Sequence, residues 1–344
     1  MKGLERYIRQ TTFSELGIDG QKELGKKKAL LAGCGALGSA IGVSIVRSGI
    51  GELRIVDHDF PEIINLHRQF LYDEDNVRGK IPKAIIAAQK LGRANSQVKV
   101  IPIVTELSSN NIEELAKGVD LIMDGTDNLQ TRYIINDFSI KYGVPWIYGG
   151  VIGASGMMMM VIPGKTACFR CLFPEQPPAE AIASCKTAGV LNPAPMLIAA
   201  LESIEAIKYL SGKGKPRSGL LQFDLWGETL HATAIKKNPS CPACGKKKFE
   251  YLGKKQTEWT GRVCGDNAIK VVPPRNLKLN LKALGNRLRK FGKVTFNGYI
   301  LEAKLTGKKI IVFADGRAII YGTLDGEKAL AVYRKYLEAM EVGS

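Results

Sequence analysis

What this chain lacks narrows its class before any motif is read. No apolar run reaches the length needed to span a bilayer, and the best candidate, Pro195 to Leu210, is interrupted by Glu202, Glu205 and Lys208. Met1 to Gln10 is charged and has none of the apolar core of a signal peptide, so a cytoplasmic location is the expectation. Seven cysteines, an odd number in 344 residues, do not make a secreted disulfide framework and direct attention to metal binding or thiol chemistry. There is no internal repeat, and no collagen, coiled-coil or low-complexity composition. With 45% hydrophobic and 24% charged residues the chain is an ordinary globular one, long enough for two domains or one large domain with an appendage. Its excess is positive charge, 49 Lys and Arg against 33 Asp and Glu, which raises nucleic acid, an anionic membrane, nucleotide or an acidic protein as partner. Residues 245 to 300 hold ten Lys, four Arg and three acidic residues, so +11 of the net +16 lies there.

Residues 28 to 150 alternate short apolar strands with helical patterns, which predicts a doubly wound, mainly parallel Rossmann-like sheet. Strands are expected at Ala29 to Ala32, Leu53 to Val56, Val98 to Val104, Leu121 to Met123 and Trp146 to Ile147. Gly156 to Pro163, with its four consecutive methionines, reads as a core strand. A helix from about Pro195 to Leu210 and strands near Leu220 to Leu225 and Leu230 to Ile235 complete a first domain, 1–245. A basic linker, 246–261, leads to a small α+β domain, 262–344. In that tail Leu277, Leu281, Leu284, Leu288 and Phe291 keep helical spacing, Asp315-Gly316 is a hairpin turn signal, and Asp325 is the expected N-cap of a last helix burying Leu330, Tyr333, Leu337 and Met340.

Four groups of residues carry chemistry. Gly33-Cys34-Gly35-Ala36-Leu37-Gly38 sits where a strand turns into a helix, and Asp57 follows at the end of the second strand. Backbone amides at such a turn meet phosphate, and the carboxylate accepts from ribose hydroxyls, which identifies a nucleotide fold without separating NAD from ATP. Asn65-Leu66-His67-Arg68-Gln69 and Lys83 bring cations to this region, suiting a reaction that expels pyrophosphate; isolated surface charges are the plainer alternative. Asp124-Gly125-Thr126-Asp127-Asn128 follows an apolar strand, where ligands of open α/β sheets bind. Asp127 is there in position to hold magnesium, whereas Asp124 shapes the turn. Cys168, Cys171, Cys241 and Cys244 form two CxxC pairs suited to a structural zinc, with redox pairs the competing reading. Cys185, beside Lys186 in a polar segment, is either an accessible reactive thiol or an inert buried one.

Together these elements resemble the ThiF/MoeB/HesA family, relatives of ubiquitin-activating enzymes that adenylate small ubiquitin-like sulfur-carrier proteins. The resemblance spans about residues 4 to 245, from Arg6-Tyr7-Ile8-Arg9-Gln10 through Val56-Asp57-His58-Asp59, Pro82-Lys83 and Asp124 to Asn128 with Arg132, to both CxxC pairs and the Cys185 segment. It implies ATP as substrate, Mg2+ and Zn2+, and a homodimer in which Arg9 reaches the ATP site of a second copy. It also implies Asp57 on ribose, Asn65, Arg68 and Lys83 on phosphates, Asp127 on magnesium, and Asp59, Gln69 and Asn128 beside the nucleotide. The carrier, of ThiS or MoaD type and ending in Gly-Gly, would serve thiamin, molybdenum cofactor or tRNA thiolation chemistry, with a sulfur donor acting directly or through Cys185. A conjugation activator holding the carrier as a thioester at Cys185 is the alternative. Outside the family stand an NAD-dependent oxidoreductase and a nucleic-acid-binding protein. The family's glycine loop often has glycine where this chain has Ala36, no rhodanese domain follows, and Cys264 in the tail is a candidate second relay thiol.

Overall fold

The structure, a computed structural model, describes residues 3–177, 188–253, 259–262, 267–274, 277–305 and 307–337. Cys185, Cys264 and Met340 lie outside the described residues. The chain divides into two compact units, Met1–Gly253 and Lys254–Ser344.

The first unit is built on one eight-stranded sheet in the order β3-β2-β1-β4-β5-β6-β7-β8. Its strands are β1 (Lys28–Ala32), β2 (Glu52–Val56), β3 (Lys99–Ile103), β4 (Leu121–Asp124), β5 (Trp146–Ile152), β6 (Ser155–Val161), β7 (Leu220–Asp224) and β8 (Thr229–Thr233). The first five pair in parallel and the last three add antiparallel, giving the expected doubly wound sheet an antiparallel flank. Alternation sends side chains to both faces: Ala29 and Leu31 join one core, Leu30 and Ala32 the other. Both faces must therefore be covered. Helices α1 (Ala36–Ser48), α2 (Lys83–Ala94) and α4 (Pro193–Ser211) contribute to the first core, and α3 (Leu129–Tyr142) to the second. The methionine run behaves as a strand between two cores, with Met158 and Met160 on one side and Met159 on the other.

In this unit two boundaries differ from the sequence reading by five residues or more. β5 continues five residues past Ile147 to Ile152 because its two glycines extend a hairpin with β6 instead of breaking the strand. A Cβ at Gly149 would lie 2.0 Å from Glu202 Oε1 on α4, so the buried Glu202 carboxyl would have to move to admit one. The expected linker 246–261 is largely not one. Lys246 and Lys248 donate main-chain bonds to Cys241 and Pro242, a short helix runs over Glu250–Gly253, and Phe249, Tyr251 and Leu252 pack on the core. Apolar residues among the lysines anchor this stretch, and Tyr251 stacks on Tyr133 at 4.6 Å.

The second unit is a six-stranded antiparallel sheet, β11-β12-β13-β14-β10-β9, with helices α5 (Leu281–Leu288) and α6 (Gly326–Tyr336). Its strands are β9 (Trp259–Arg262), β10 (Ala268–Val272), β11 (Gly292–Phe296), β12 (Ile300–Leu305), β13 (Lys308–Phe313) and β14 (Ala318–Tyr321). The helix expected from Leu277 begins only at Leu281. Leu277 and Leu279 donate their amides to the carbonyls of Asp315 and Ala314, and the Asn280 side chain caps the helix by accepting from Ala283 N. The β13–β14 turn takes its left-handed residue at Gly316 (φ +90°), while the Asp315 carboxylate accepts from Arg317. Asp325 caps α6 by accepting from Glu327 N and Lys328 N; Tyr333 and Leu337 are buried and Leu330 is partly so.

Candidate active site

In the first unit the chain leaves β1 for β2 on one side and returns to β4 on the other, so the carboxyl ends of β1 and β4 flank a switch point where ligands of such sheets bind. The two loops that emerge there are locked backbone to backbone. Gly33 has φ +83°, and a Cβ on it would lie 2.7 Å from Gly125 O; one on Gly38 would lie 2.1 Å from Gly33 O, and one on Gly125 2.5 Å from the same oxygen. The glycine loop thus needs glycine for close approach, with Ala36 opening α1 beyond it.

Asp57 ends β2 beneath this loop. Its Oδ2 accepts from Cys34 N at 2.6 Å and its Oδ1 from Asp59 N at 2.7 Å, leaving each oxygen a further lone pair. Burial pushes its carboxyl up, and the Lys83 ammonium opposes that. Lys83, only 5% exposed at the start of α2, donates its main-chain amide to Asp59 O and holds its Nζ 3.5 Å from Asp59 Oδ2. Burial alone would depress the ammonium's pKa, but the carboxylates of Asp59, Asp57 and Asp127 outweigh it and the group is raised. A buried cation facing three carboxylates is a strong local field in a water-poor site. Asn65 and Gln69 are buried on the adjoining turn; Asn65 Oδ1 accepts from the half-buried Arg68 at 3.1 Å. Gln69 Nε2 lies near Gly35, and its Oε1 is buried with no partner among the described residues, which suits it to accept from a ligand.

The β4–α3 loop is shaped by Asp124. Its Oδ1 accepts from Thr126 N and Oγ1, and its Oδ2 from Arg132 Nε at 2.8 Å; Arg132 also donates to Thr126 O and Gly149 O. This leaves the Asp127 side chain exposed at the loop's crest. Asn128 is a helix cap, its side-chain oxygen accepting from Gln130 N and Thr131 N.

Arg9, expected at the ATP site of a second copy, does not enter this chain's own pocket. It is exposed on the N-terminal turn Ile8–Thr11, whose Gln10 donates to Ser48 O at the end of α1 remote from the glycine loop. Thirteen residues of helix separate the two ends by about 20 Å. Sequence reasoning missed Tyr72, whose hydroxyl donates to Cys34 O at 2.7 Å and fixes the loop. It also missed Glu202, fully buried near Asp124 and Arg132; burial, then the Asp124 charge, pushes this carboxyl well above the usual range. Neither lies in a motif, and only folding reveals them.

Away from this pocket Cys168, Cys171, Cys241 and Cys244 converge, their sulfurs all within 4.8 Å of one another. A tetrahedron with metal–sulfur bonds of about 2.3 Å has edges of about 3.8 Å. The separations of 3.9, 3.6 and 3.3 Å bracket that value, and burial together with the neighbouring sulfurs pushes Cys244 up to about 12, a repulsion that a cation would remove. The donors fit a metal ion. Among the described residues no helix is long and apolar enough to cross a membrane.

Comparison with known proteins gives the site its kin. The model of the ThiF family matches residues 7–243. The chain is 37% identical over 336 residues, 96% of its length and 99% of the relative's, to the sulfur carrier protein ThiS adenylyltransferase of Bacillus subtilis. It is 36% identical over 248 residues, 70% of this chain and 91% of the other, to the sulfur carrier protein adenylyltransferase of Thermus thermophilus. Among solved structures, Escherichia coli MccB with ATP superposes with a TM-score of 0.62 at 24% identity, covering 70% of this chain and 74% of that one; the likeness bears on the fold alone.

Proposed function

This chain belongs to the ThiF family, and from that premise we propose that it is an ATP-dependent adenylyltransferase that activates the C-terminal glycine of a ubiquitin-like sulfur-carrier protein for thiocarboxylate formation. The observation that carries this reading is the buried Lys83 ammonium facing Asp57, Asp59 and Asp127 where the two glycine-bearing loops meet. A hydride-transfer site has no use for a buried cation there, whereas displacement of pyrophosphate does, because negative charge accumulates on the leaving group.

In the proposed reaction a carboxylate oxygen of the carrier's last residue bonds to the α-phosphorus of ATP. The bond from that phosphorus to the bridging oxygen breaks, and pyrophosphate leaves with the electron pair. No general base is needed because the nucleophile is already ionised. The protein's work is positioning and charge neutralisation. The amides of Gly35, Ala36 and Gly38 face the phosphates, Asp57 takes ribose hydroxyls on its free lone pairs, and Asn65, Arg68, Gln69 and Lys83 steady the triphosphate. The exposed Asp127 is suited to hold Mg2+, which supplies charge neutralisation when bound. The four cysteines suit a structural Zn2+ tying residues 168–171 to 241–244. Arg9, remote from its own chain's pocket, completes the site of a second copy in a homodimer. A sulfide-level donor then bonds to the acyl carbon as its bond to the phosphate oxygen breaks and AMP leaves; in the route through Cys185 the thiolate displaces AMP first, and the donor sulfide cleaves the resulting thioester to give the thiocarboxylate and the free thiol.

The test is ATP–pyrophosphate exchange with a carrier ending in Gly-Gly. Exchange that requires the carrier, and is lost when its last glycine is removed, supports the reading. Exchange absent with every such carrier, or independent of the terminal glycine, overturns it.

A further inference from the structure

The second unit holds 18 Lys and Arg against 8 Asp and Glu, and its sheet gathers part of that excess against itself. Helices α5 and α6 pack with Leu301, Ala303, Leu305, Ile310, Val312, Ala318 and Ile320 on one face, so the alternate residues of each strand stand on the other. In the strand register Lys293 is directly opposite Lys304, Lys304 opposite Lys309, and Lys309 opposite Tyr321. Four neighbouring strands thus present a row Lys-Lys-Lys-Tyr about 14 Å long on the face that carries no helix among the described residues. Like charges directly opposite one another destabilise a sheet. Lys309 has some relief, 3.6 Å from Glu302 and 4.8 Å over the Tyr321 ring, while Lys293 and Lys304 are exposed and pair with no acid among the described residues. Toward the other edge the same face carries Trp259, 54% exposed, with Lys270 Nζ 6.0 Å from its ring.

We propose that this helix-free face binds single-stranded RNA. Ammonium groups that repel one another in the free protein are matched by successive phosphates, and flat rings on a sheet offer bases a stacking surface. An acidic protein fits less well. A stable protein interface needs an apolar centre, and the aliphatic and aromatic residues at the middle of this face, Ile300, Ile311 and Phe313, are already buried within the chain. What stays accessible is lysine and ring. A broad sheet does not enter the grooves of a duplex as one helix does, and unpaired bases are presented chiefly by RNA loops and ends.

The test uses the full chain and fluorescence anisotropy with a labelled 12-nucleotide oligouridylate, its DNA counterpart and an RNA duplex of the same length. The oligouridylate binds best, and its affinity falls steeply with salt. Lys304→Glu weakens binding about tenfold and flattens the salt dependence by about 0.7 in the log–log slope for each phosphate that the variant no longer neutralises. Trp259→Ala weakens it about tenfold with the slope unchanged. Because Lys304→Glu relieves repulsion, its melting temperature does not fall, which separates weakened binding from a damaged fold. Any of four results overturns the proposal: no binding at low salt; variants that bind like the parent; tighter binding to the DNA or the duplex; or unchanged oligouridylate affinity with a raised carrier KM in Lys304→Glu, which would assign the face to an acidic protein.

Discussion

Two regions of this molecule crowd groups that repel one another, and they do so in opposite settings. In the first unit four cysteine sulfurs meet within 4.8 Å, two of the residues buried and two partly so; in the second, three lysines stand side by side on a sheet face open enough to leave two of them exposed. Water screens these half-enclosed sulfurs poorly, so a counter-charge there belongs with the fold. It does screen the lysines, so their counter-charge can come and go. Buried repulsion therefore points to structure, and exposed repulsion to a partner.

The largest test of that contrast is removal of the zinc proposed for the cysteine cluster. Chelation, or Cys244→Ser, should abolish stoichiometric zinc measured by elemental analysis and cost at least about 3 kcal/mol, lowering the melting temperature by roughly 6–12 °C. A metal-free chain that melts unchanged would remove the structural half of the comparison. Next comes Lys83, a cation buried among partners. Lys83→Ala should slow carrier-dependent exchange by about 10²–10³-fold, with zinc retained. Its raised pKa keeps the native ammonium charged beyond the value of about 10.4 at which an unfolded lysine deprotonates. Its contribution to stability is therefore complete below that pH and is lost only as pH rises through the higher folded value, so denaturant titrations between about pH 7 and 9 should show no decline traceable to Lys83. Arg132→Met leaves Asp124 buried without its cation and should cost about 3–5 kcal/mol, read by chemical denaturation. The smallest effect has the opposite sign. Lys304→Glu should stabilise the second unit by a few tenths of a kcal/mol, seen as a higher denaturation midpoint. A lower midpoint would mean that the lysine row is not repulsive.

How far the sequence reaches is visible in the same residues. The glycine loop, Asp57, Lys83 and the CxxC pairs are legible because their chemistry dictates both residue type and spacing; the fold brings the first three to one pocket and gathers the four cysteines at a separate place. The lysine row is invisible in the sequence: Lys293, Lys304 and Lys309 are merely members of a basic tail until strand register makes them neighbours. Glu202 and Tyr72 are hidden for the same reason, since each acts across the fold on residues distant in the chain. The errors at 246–261 and 277–280 have local causes. Lysine-rich composition outweighed three apolar anchors in the first, and helical spacing in the second could not show that two amides were taken by a neighbouring strand end.

The interlocked glycines also govern how mutations combine. Gly33, Gly38 and Gly125 each occupy the space that a side chain on another would need, although about ninety residues of chain separate the first from the last. Gly33→Ala and Gly125→Ala should each force the two loops apart, because a Cβ on either meets the other's carbonyl oxygen, and once one has done so the other meets a gap already opened. The double variant should therefore be destabilised by less than the sum of the two single variants, an epistasis between remote positions created by one backbone approach.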